Sequence, residues 1–431
     1  MAGDVRANFV DRLLARVDGE LAPIWITQLV TTDAPPRAGD LREALGRLVA
    51  ETARLRLAWD PRRGDWIPRT RSAGDLDRAV RELPEAAPRD LTARLVREPV
   101  DLGRDLPLRL TLAPLSADAH ESHGRALVAL QIHHAIGDAR SLMYLNRRLW
   151  QLLSGTARPE SLLGPAGMSD ARALAGAARH AAALPAILDP RRRVLSRRGQ
   201  PLRRRGDDPG APMLLSLRAP LGGRFGAEAR SGLFFGALLA GMAAHDHGVT
   251  WSAPLRLRVP IDLRRELGVG VTLENACSAV AVEIPGAEVR AAVDDPARLA
   301  ALVPDELGRL LRAGTHWATL LECLVVSRLA STAALRTHVR PDLVAPLRAN
   351  TMVTTYVGTG DRYFADAPFP IRTLRTHTPT WGANGFCFGD ALVINASAFE
   401  GLWSRADLEG FVSAMGAWLR RHHDLHPEIL A

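Results

Sequence analysis

Lysine is missing from this chain altogether: all 55 basic residues among its 431 are arginine. Schiff-base chemistry and lysine nucleophiles are thereby excluded. Cysteine is scarce, and Cys277, Cys323 and Cys387 are far apart, odd in number and without metal-ligand spacing. Neither a disulfide framework nor a bound metal is expected, and a reducing, cytoplasmic setting follows. No apolar run approaches the roughly 20 residues that cross a bilayer; the most apolar window, 232–244, holds about a dozen. Residues 1–6 lead into charged, amphipathic sequence with no signal-peptide core, so export is not expected either. Aromatic residues make up only 5% of the chain, which leaves few rings on which bases could stack.

The excess of positive charge is local. The net charge of +8 equals the eight arginines between Arg191 and Arg205, a stretch with no acidic residue and no aromatic one. The rest of the chain is formally neutral, so nucleic acid is not an expected partner despite a pI near 10.5. Residues 189–208 read as an exposed basic linker. Its functional reading is a dock for something anionic, such as coenzyme phosphates, an acidic carrier protein or a membrane surface.

At 431 residues, 47% of them hydrophobic, the chain exceeds one ordinary core and has ample material for two. The periodicity predicts a mixed α/β (α+β) protein. In the first half, strand 22–30 is followed by a helix opened by a capping box of Asp40 and Glu43, with Leu41, Ala44, Leu45, Leu48 and Val49 on one face. A short strand at 55–59 and a turn at 60–65 follow, then strand 125–132 and a helix from Ser141. The second half is built in the same way, with helix 227–244, strands 254–259 and 277–284, and helical sequence from Pro296 to Leu335 broken near Pro304 and Gly314. Strand 351–357, a hairpin turning at Gly389-Asp390 and a helix capped by Ser404 complete it.

Chemistry concentrates where strand 125–132 ends, at His133-His134-Ala135-Ile136-Gly137-Asp138-Ala139. A strand end holds an imidazole in a fixed place, and histidine titrates near neutrality, so such a ring can take a proton from a hydroxyl or amine. Two other histidine groups are weaker. His245-Asp246-His247 and His422-His423-Asp424 lie at predicted helix ends, where solvated polar residues are usual, and neither has a third ligand at metal spacing.

The motif resembles the HHxxxDG signature of the thioester-using acyltransferase superfamily, which includes chloramphenicol acetyltransferase, condensation domains, wax ester synthases and polyketide-associated acyltransferases. Ala139 stands where that signature has glycine. Three further segments in the same order strengthen the likeness: Val100-Asp101-Leu102 with Pro107-Leu108-Arg109, then Val259-Pro260-Ile261-Asp262-Leu263-Arg264, then Glu274-Asn275 in place of a Gly-Asn pair. The resemblance implies two chloramphenicol-acetyltransferase-like subdomains, each a mixed sheet with helices, with an active-site channel between them. The corresponding boundaries are residues 1–185, an Arg-rich linker at 186–210, and 211–431.

It further implies that His134 is the general base and that Asp138 is architectural, with His133 orienting the loop. For a buried carboxylate a partner is required, because an isolated buried charge is strongly disfavoured. Arg264 is the expected partner and Arg140 the local alternative. Gly137 is expected to supply backbone freedom, and Ala139, Thr354, Thr355 and Asn384 are candidate substrate or oxyanion contacts. The implied activity is transfer of an acyl group from acyl-coenzyme A or a phosphopantetheinyl carrier protein to a hydroxyl, in preference to an amine, of a small-molecule acceptor in specialised metabolism. No permanently bound cofactor is implied, and the length suits a monomer. Two alternatives stay open: the same fold put to cyclisation or another non-transfer reaction, and a noncatalytic module that docks a carrier protein.

Overall fold

The computed structural model describes residues 7–18, 24–158, 167–180, 210–244, 251–252, 254–335, 352–378, 381–401 and 403–430. The Arg191–Arg205 run and the 245–247 histidine group lie outside the described residues.

Fourteen strands are described: β1 (Trp25–Thr32), β2 (Leu57–Asp60), β3 (Asp65–Pro68), β4 (Val80–Glu82), β5 (Leu108–Pro114), β6 (Ala126–His133), β7 (Pro212–Pro220), β8 (Pro254–Asp262), β9 (Cys277–Pro285), β10 (Met352–Thr359), β11 (Thr373–His377), β12 (Gly382–Phe388), β13 (Ala391–Phe399) and β14 (Glu428–Leu430). They form a five-stranded sheet in the order β11-β1-β6-β5-β4, a seven-stranded sheet in the order β14-β7-β13-β12-β10-β8-β9, and the hairpin β2-β3. Both large sheets are mixed: β4 runs parallel to β5 in the first, and β10 runs parallel to β8 and β12 in the second.

Each sheet is covered by helices. On the first, helices Ala38–Glu51 and Ala139–Ser154 bury Leu41, Leu45, Leu142, Leu145 and Leu149 against Val128, Leu130 and Ile132 of β6. The opposite face of β6 presents Leu127 and Ala129 to Leu91 and Leu95 of helix Pro88–Arg97. All eight residues of β6 are therefore buried, and its sequence is apolar apart from Gln131 and His133, with no alternation of apolar and polar positions. On the second sheet, helices Ala227–Ala244, Pro296–Arg312 and Arg405–His423 close the core around Phe234, Leu238, Phe411 and Met415.

Three local predictions are corrected. The helix at 38–51 is capped by Arg37 without a side-chain hydrogen bond, so Asp40 does not form a box with Glu43. Asp40 still lies in the first turn, where the helix dipole favours an acid. Residues Ala53–Arg56 are a single 3-10 turn that directs Arg54 inward, which delays the strand to Leu57. Pro304 does not break its helix; burial of Leu299 and Val303 before it, and of Leu310 beyond it, offsets the lost backbone bond. Gly314 is the break, at φ 70°.

The boundary drawn at 211 separates the chain but not the sheets. β11, from the second half, is the edge strand of the first sheet, with Thr27 opposite His377 and Thr31 opposite Thr373. In the other direction helix Phe9–Val17 sends Phe9 into a cluster with Trp317 and Leu320 of helix Thr315–Leu329. The halves are interlocked at both ends.

Candidate active site

The motif begins where β6 stops. His133 pairs with Trp25 of β1 in register, and its N–H donates to the carbonyl of Pro107 at 2.9 Å. The next N–H, that of His134, donates to the carbonyl of Ile24 at 2.8 Å, and Ile136 N–H turns back to His133 O at 3.0 Å. The chain then enters helix Ala139–Ser154, which Asp138 caps by accepting from the Ser141 N–H at 2.9 Å.

His133 is fully buried and committed. Its Nδ1 accepts from the Ala135 N–H at 3.2 Å, and its ring meets Trp25 edge-on at 5.6 Å. Nε2 lies 2.9 Å from Asp18 Oδ1, close enough to pair although not aligned as a hydrogen bond. Trp25 is braced in turn: its Nε1 donates to Glu98 O at 2.9 Å, and the Arg109 guanidinium lies 4.8 Å over its ring. The segment 98–109 thus supports the wall behind His133.

Asp138 is buried and receives four donors. Arg264 grips it with two prongs, Nη1 to Oδ2 at 2.9 Å and Nη2 to Oδ1 at 3.0 Å; Ser141 N–H and Ala276 N–H at 3.1 Å supply the others. Burial alone would raise the pKa of this carboxyl, but Arg264 and the backbone donors hold it below the usual carboxylate range. Arg264 also donates to Asp262 Oδ1, Ser141 Oγ and Glu274 O, at 3.1, 2.9 and 2.9 Å. Of the two arginines considered for Asp138, Arg264 makes the contact. Arg140 instead donates to the Tyr363 hydroxyl at 2.7 Å and pairs with Asp262 at 3.4 Å.

A second buried ion pair flanks the loop on its other side, and sequence reasoning missed it. Asp11, in the first turn of helix Phe9–Val17, pairs with Arg54, whose guanidinium also reaches Ile136 O at 3.4 Å. Asp11 Oδ1 accepts from the Asn275 backbone N–H at 3.2 Å and from its side-chain Nδ2 at 2.8 Å. That same Nδ2 donates to the carbonyl of His134 at 2.6 Å. Glu274, where the resemblance has glycine, is buried with its carboxylate accepting from the Gly167 and Met168 N–H groups at 2.8 and 3.0 Å. The local signal for Asp11 was readable, since Asn8 and Asp11 form a capping box. Its reach to Asn275, 264 residues away, was not.

Between these clamps His134 is half-buried. Burial, the largest influence, pushes its imidazole below the ordinary histidine value, and nearby His133 acts in the same direction; its own backbone, Asp138 and Asn275 pull back only partly. The lowered pKa favours the neutral ring, the form a proton acceptor must have. Cys277, at the start of β9, is no rival nucleophile: burial, with Asp138 near, raises its thiol well above the normal value.

Ala139 is the first helical residue of the motif helix, half-buried against the first core, where alanine is favourable and a left-handed backbone is not needed. Gly137 is not in the left-handed region either. It is required by packing: a Cβ there would lie 2.7 Å from Ser141 Cβ and 2.9 Å from Leu273 Cδ1. Gly137→Ala is expected to destabilise the fold by about 1–3 kcal/mol, the usual cost of overpacking, read as a lowered denaturation midpoint; an unchanged midpoint would show that the loop yields freely.

The oxyanion candidates divide. Thr354 is buried on β10 with its hydroxyl lacking a hydrogen-bond partner among the described residues, and Thr355 is half-buried beside it. Asn384, opposite Thr355 in register, donates to Thr376 O at 3.1 Å and accepts from Asn395 at 2.9 Å. Asn395 in turn accepts from Ser216 at 2.7 Å, so Asn384 is one link in a polar brace that fastens the second sheet to β11.

Two sheets, each with its own helices, interlocked through an exchanged strand and meeting at a strand-end histidine loop, define the chloramphenicol-acetyltransferase-like fold of acyltransferases and condensation domains. Solved structures show the same architecture over nearly the whole chain. A trichothecene 15-O-acetyltransferase from Fusarium sporotrichioides is similar with a TM-score of 0.63 at 10% identity, covering 96% of this chain and 94% of that one. The first condensation domain of the calcium-dependent antibiotic synthetase, in complex with a substrate analogue, has a TM-score of 0.58 at 17% identity, covering 96% of both chains. The X-domain from teicoplanin biosynthesis gives 0.58 at 15%, covering 98% and 96%. No protein-family model matches the chain, and no curated protein sequence does. Among the described residues no helix is long and apolar enough to cross a membrane.

Proposed function

We propose that this chain transfers an acyl group from a thioester to the hydroxyl of a small-molecule acceptor, with His134 as the general base. The observation that carries the reading is a half-buried imidazole just beyond the end of β6, its backbone pinned by Ile24, the residue before β1, and by Asn275 from the other half of the fold. The likeness in fold to an acetyltransferase and to condensation domains supports it.

In the proposed reaction His134 accepts the proton of the acceptor hydroxyl as that oxygen attacks the thioester carbonyl. The tetrahedral intermediate collapses with cleavage of the carbon–sulfur bond, and the departing thiolate takes the proton back from the imidazolium. Ester and free thiol are the products, and no covalent enzyme intermediate is formed. A positioned base contributes about 10²–10⁴-fold, and holding both substrates together adds an effective-concentration advantage. Acyl-coenzyme A or an acylated carrier protein supplies the thioester, which is a co-substrate and not a resident cofactor. Thr354 and Thr355 are the side-chain candidates for oxyanion donors, with backbone N–H groups.

The test is release of free thiol from a panel of acyl thioesters, with and without alcohol acceptors. Acceptor-dependent release supports transfer; release without acceptor from a substrate that carries its own nucleophile indicates cyclisation. The pH profile follows from the lowered pKa. Only the neutral base works, so kcat/KM should fall as pH drops through a limb lying below the ordinary histidine value of about 6.5 and be flat above it. A limb above that value would remove His134 as the titrating group.

A further inference from the structure

Asn275 is fully buried, and its amide nitrogen donates to two acceptors, Asp11 Oδ1 at 2.8 Å and the His134 carbonyl at 2.6 Å. An amide nitrogen carries two hydrogens, and both are thereby used. The reversed amide would set its oxygen against a carboxylate and a carbonyl, two acceptors facing an acceptor. Asp11 therefore dictates which end of the amide points where, and Arg54 is the counter-cation that makes a buried Asp11 carboxylate tolerable.

With the nitrogen so committed, Oδ1 of Asn275 is left buried and without a hydrogen-bond partner among the described residues. The Nδ1 of His134 is left in the same condition. These two atoms belong to residues already joined by a 2.6 Å bond, and Nδ1 is the ring nitrogen nearest a histidine's own backbone. One is an acceptor in want of a donor, and the other becomes a donor when it carries the ring hydrogen. A buried pair of this kind is costly if unmade.

We infer that Asn275 Oδ1 accepts the Nδ1–H of His134, so that Asp11 and Asn275 form a positioning relay for the base. The inference rests on His134 being the base in the proposed reaction. The relay does two things: it selects the tautomer whose free lone pair is on Nε2, and it favours the imidazolium formed after proton transfer. Asp138, held by Arg264, and His133, paired towards Asp18, are the other titratable groups acting on the ring; Asp138 favours its charge and His133 opposes it. A carboxylate that orients a neutral amide, which in turn orients an imidazole, places the fixed charge one group further from the base than a direct carboxylate–histidine pair does.

Long-range proton–nitrogen NMR of the full chain labelled at histidine tests this. The chain has 13 histidines, and the His134 signals are assigned by their loss in His134→Gln. The wild type should show the Nδ1–H tautomer above the ring pKa. Asn275→Ala should give a mixed tautomer and a lower ring pKa, and its kcat should drop by about 10²–10⁴-fold with KM changed less than about twofold. Wild-type His134 in the Nε2–H tautomer overturns the relay with no variant needed, as do an unchanged tautomer and ring pKa in a folded Asn275→Ala. If the wild type shows the Nδ1–H tautomer and its loss in Asn275→Ala yet turns over no thioester, the relay stands and the acyl-transfer reading fails.

Discussion

His134→Ala is expected to fold as the wild type does and to lose acyl transfer by about 10²–10⁴-fold or more, the worth of a positioned base. The fold survives because the structural duties at this position belong to the backbone: the N–H bonds Ile24 O and the carbonyl bonds Asn275, and neither needs the imidazole. The ring is half-buried, so its removal leaves only a modest cavity. The loss should fall on kcat and kcat/KM together, because the base acts only as the hydroxyl loses its proton. Thiol release from an acyl thioester with an alcohol acceptor is the measurement, with circular dichroism of the same preparation as its control. Near-normal transfer by a folded His134→Ala would assign the base to another residue. His133→Ala should behave in the opposite way: its ring is fully buried between Trp25 and Asp18, so stability falls first.

Asp138→Ala should cost about 3–5 kcal/mol of stability, the usual result of removing one member of a buried ion pair. Three losses coincide in that one carboxylate. The motif helix loses its cap at Ser141, Ala276 N–H loses its acceptor, and Arg264 is left buried with Asp262 as its one remaining charged partner among the described residues. Asp138→Asn keeps an oxygen for the cap and should be milder. Solubility and the denaturation midpoint are the measurements. The sign with pH is fixed by the depressed pKa of Asp138: this contribution is fully present above the unfolded-state value and is lost as pH falls through the folded one. A midpoint within error of wild type for Asp138→Ala would mean that the Asp262–Arg264 contact alone suffices.

The motif and its helix were legible because they are local. A fully buried strand, an aspartate that caps and a helix with its apolar face on a 3.6-residue period all lie within residues 126–154. Arg264 could be proposed for Asp138 from the resemblance together with a physical demand, that a buried carboxylate find a cation. Nothing local made the same demand visible for Arg54, which immediately precedes the strand read at 55–59 and lies in a 3-10 turn beside its distant partner Asp11. Ala139 shows the reverse case: the motif position suggested a need for glycine, whereas the helix starts at Ala139 itself, two residues before the Ser141 start read from the sequence. Pro304 misled because propensity was read without the core on either side of it.

The exchanged strand governs how this protein comes off the ribosome. Thr31 of β1 hydrogen bonds through its hydroxyl to Thr373 of β11, 342 residues later. At roughly 5–20 residues per second, β1 emerges about 20–70 seconds before the strand that covers its edge. During that interval the nascent chain displays the unpaired edge Thr27–Thr31, the kind of surface on which chains pair with each other. The first half, produced by itself, would keep that edge permanently, so the protein is one folding unit in time as well as in space.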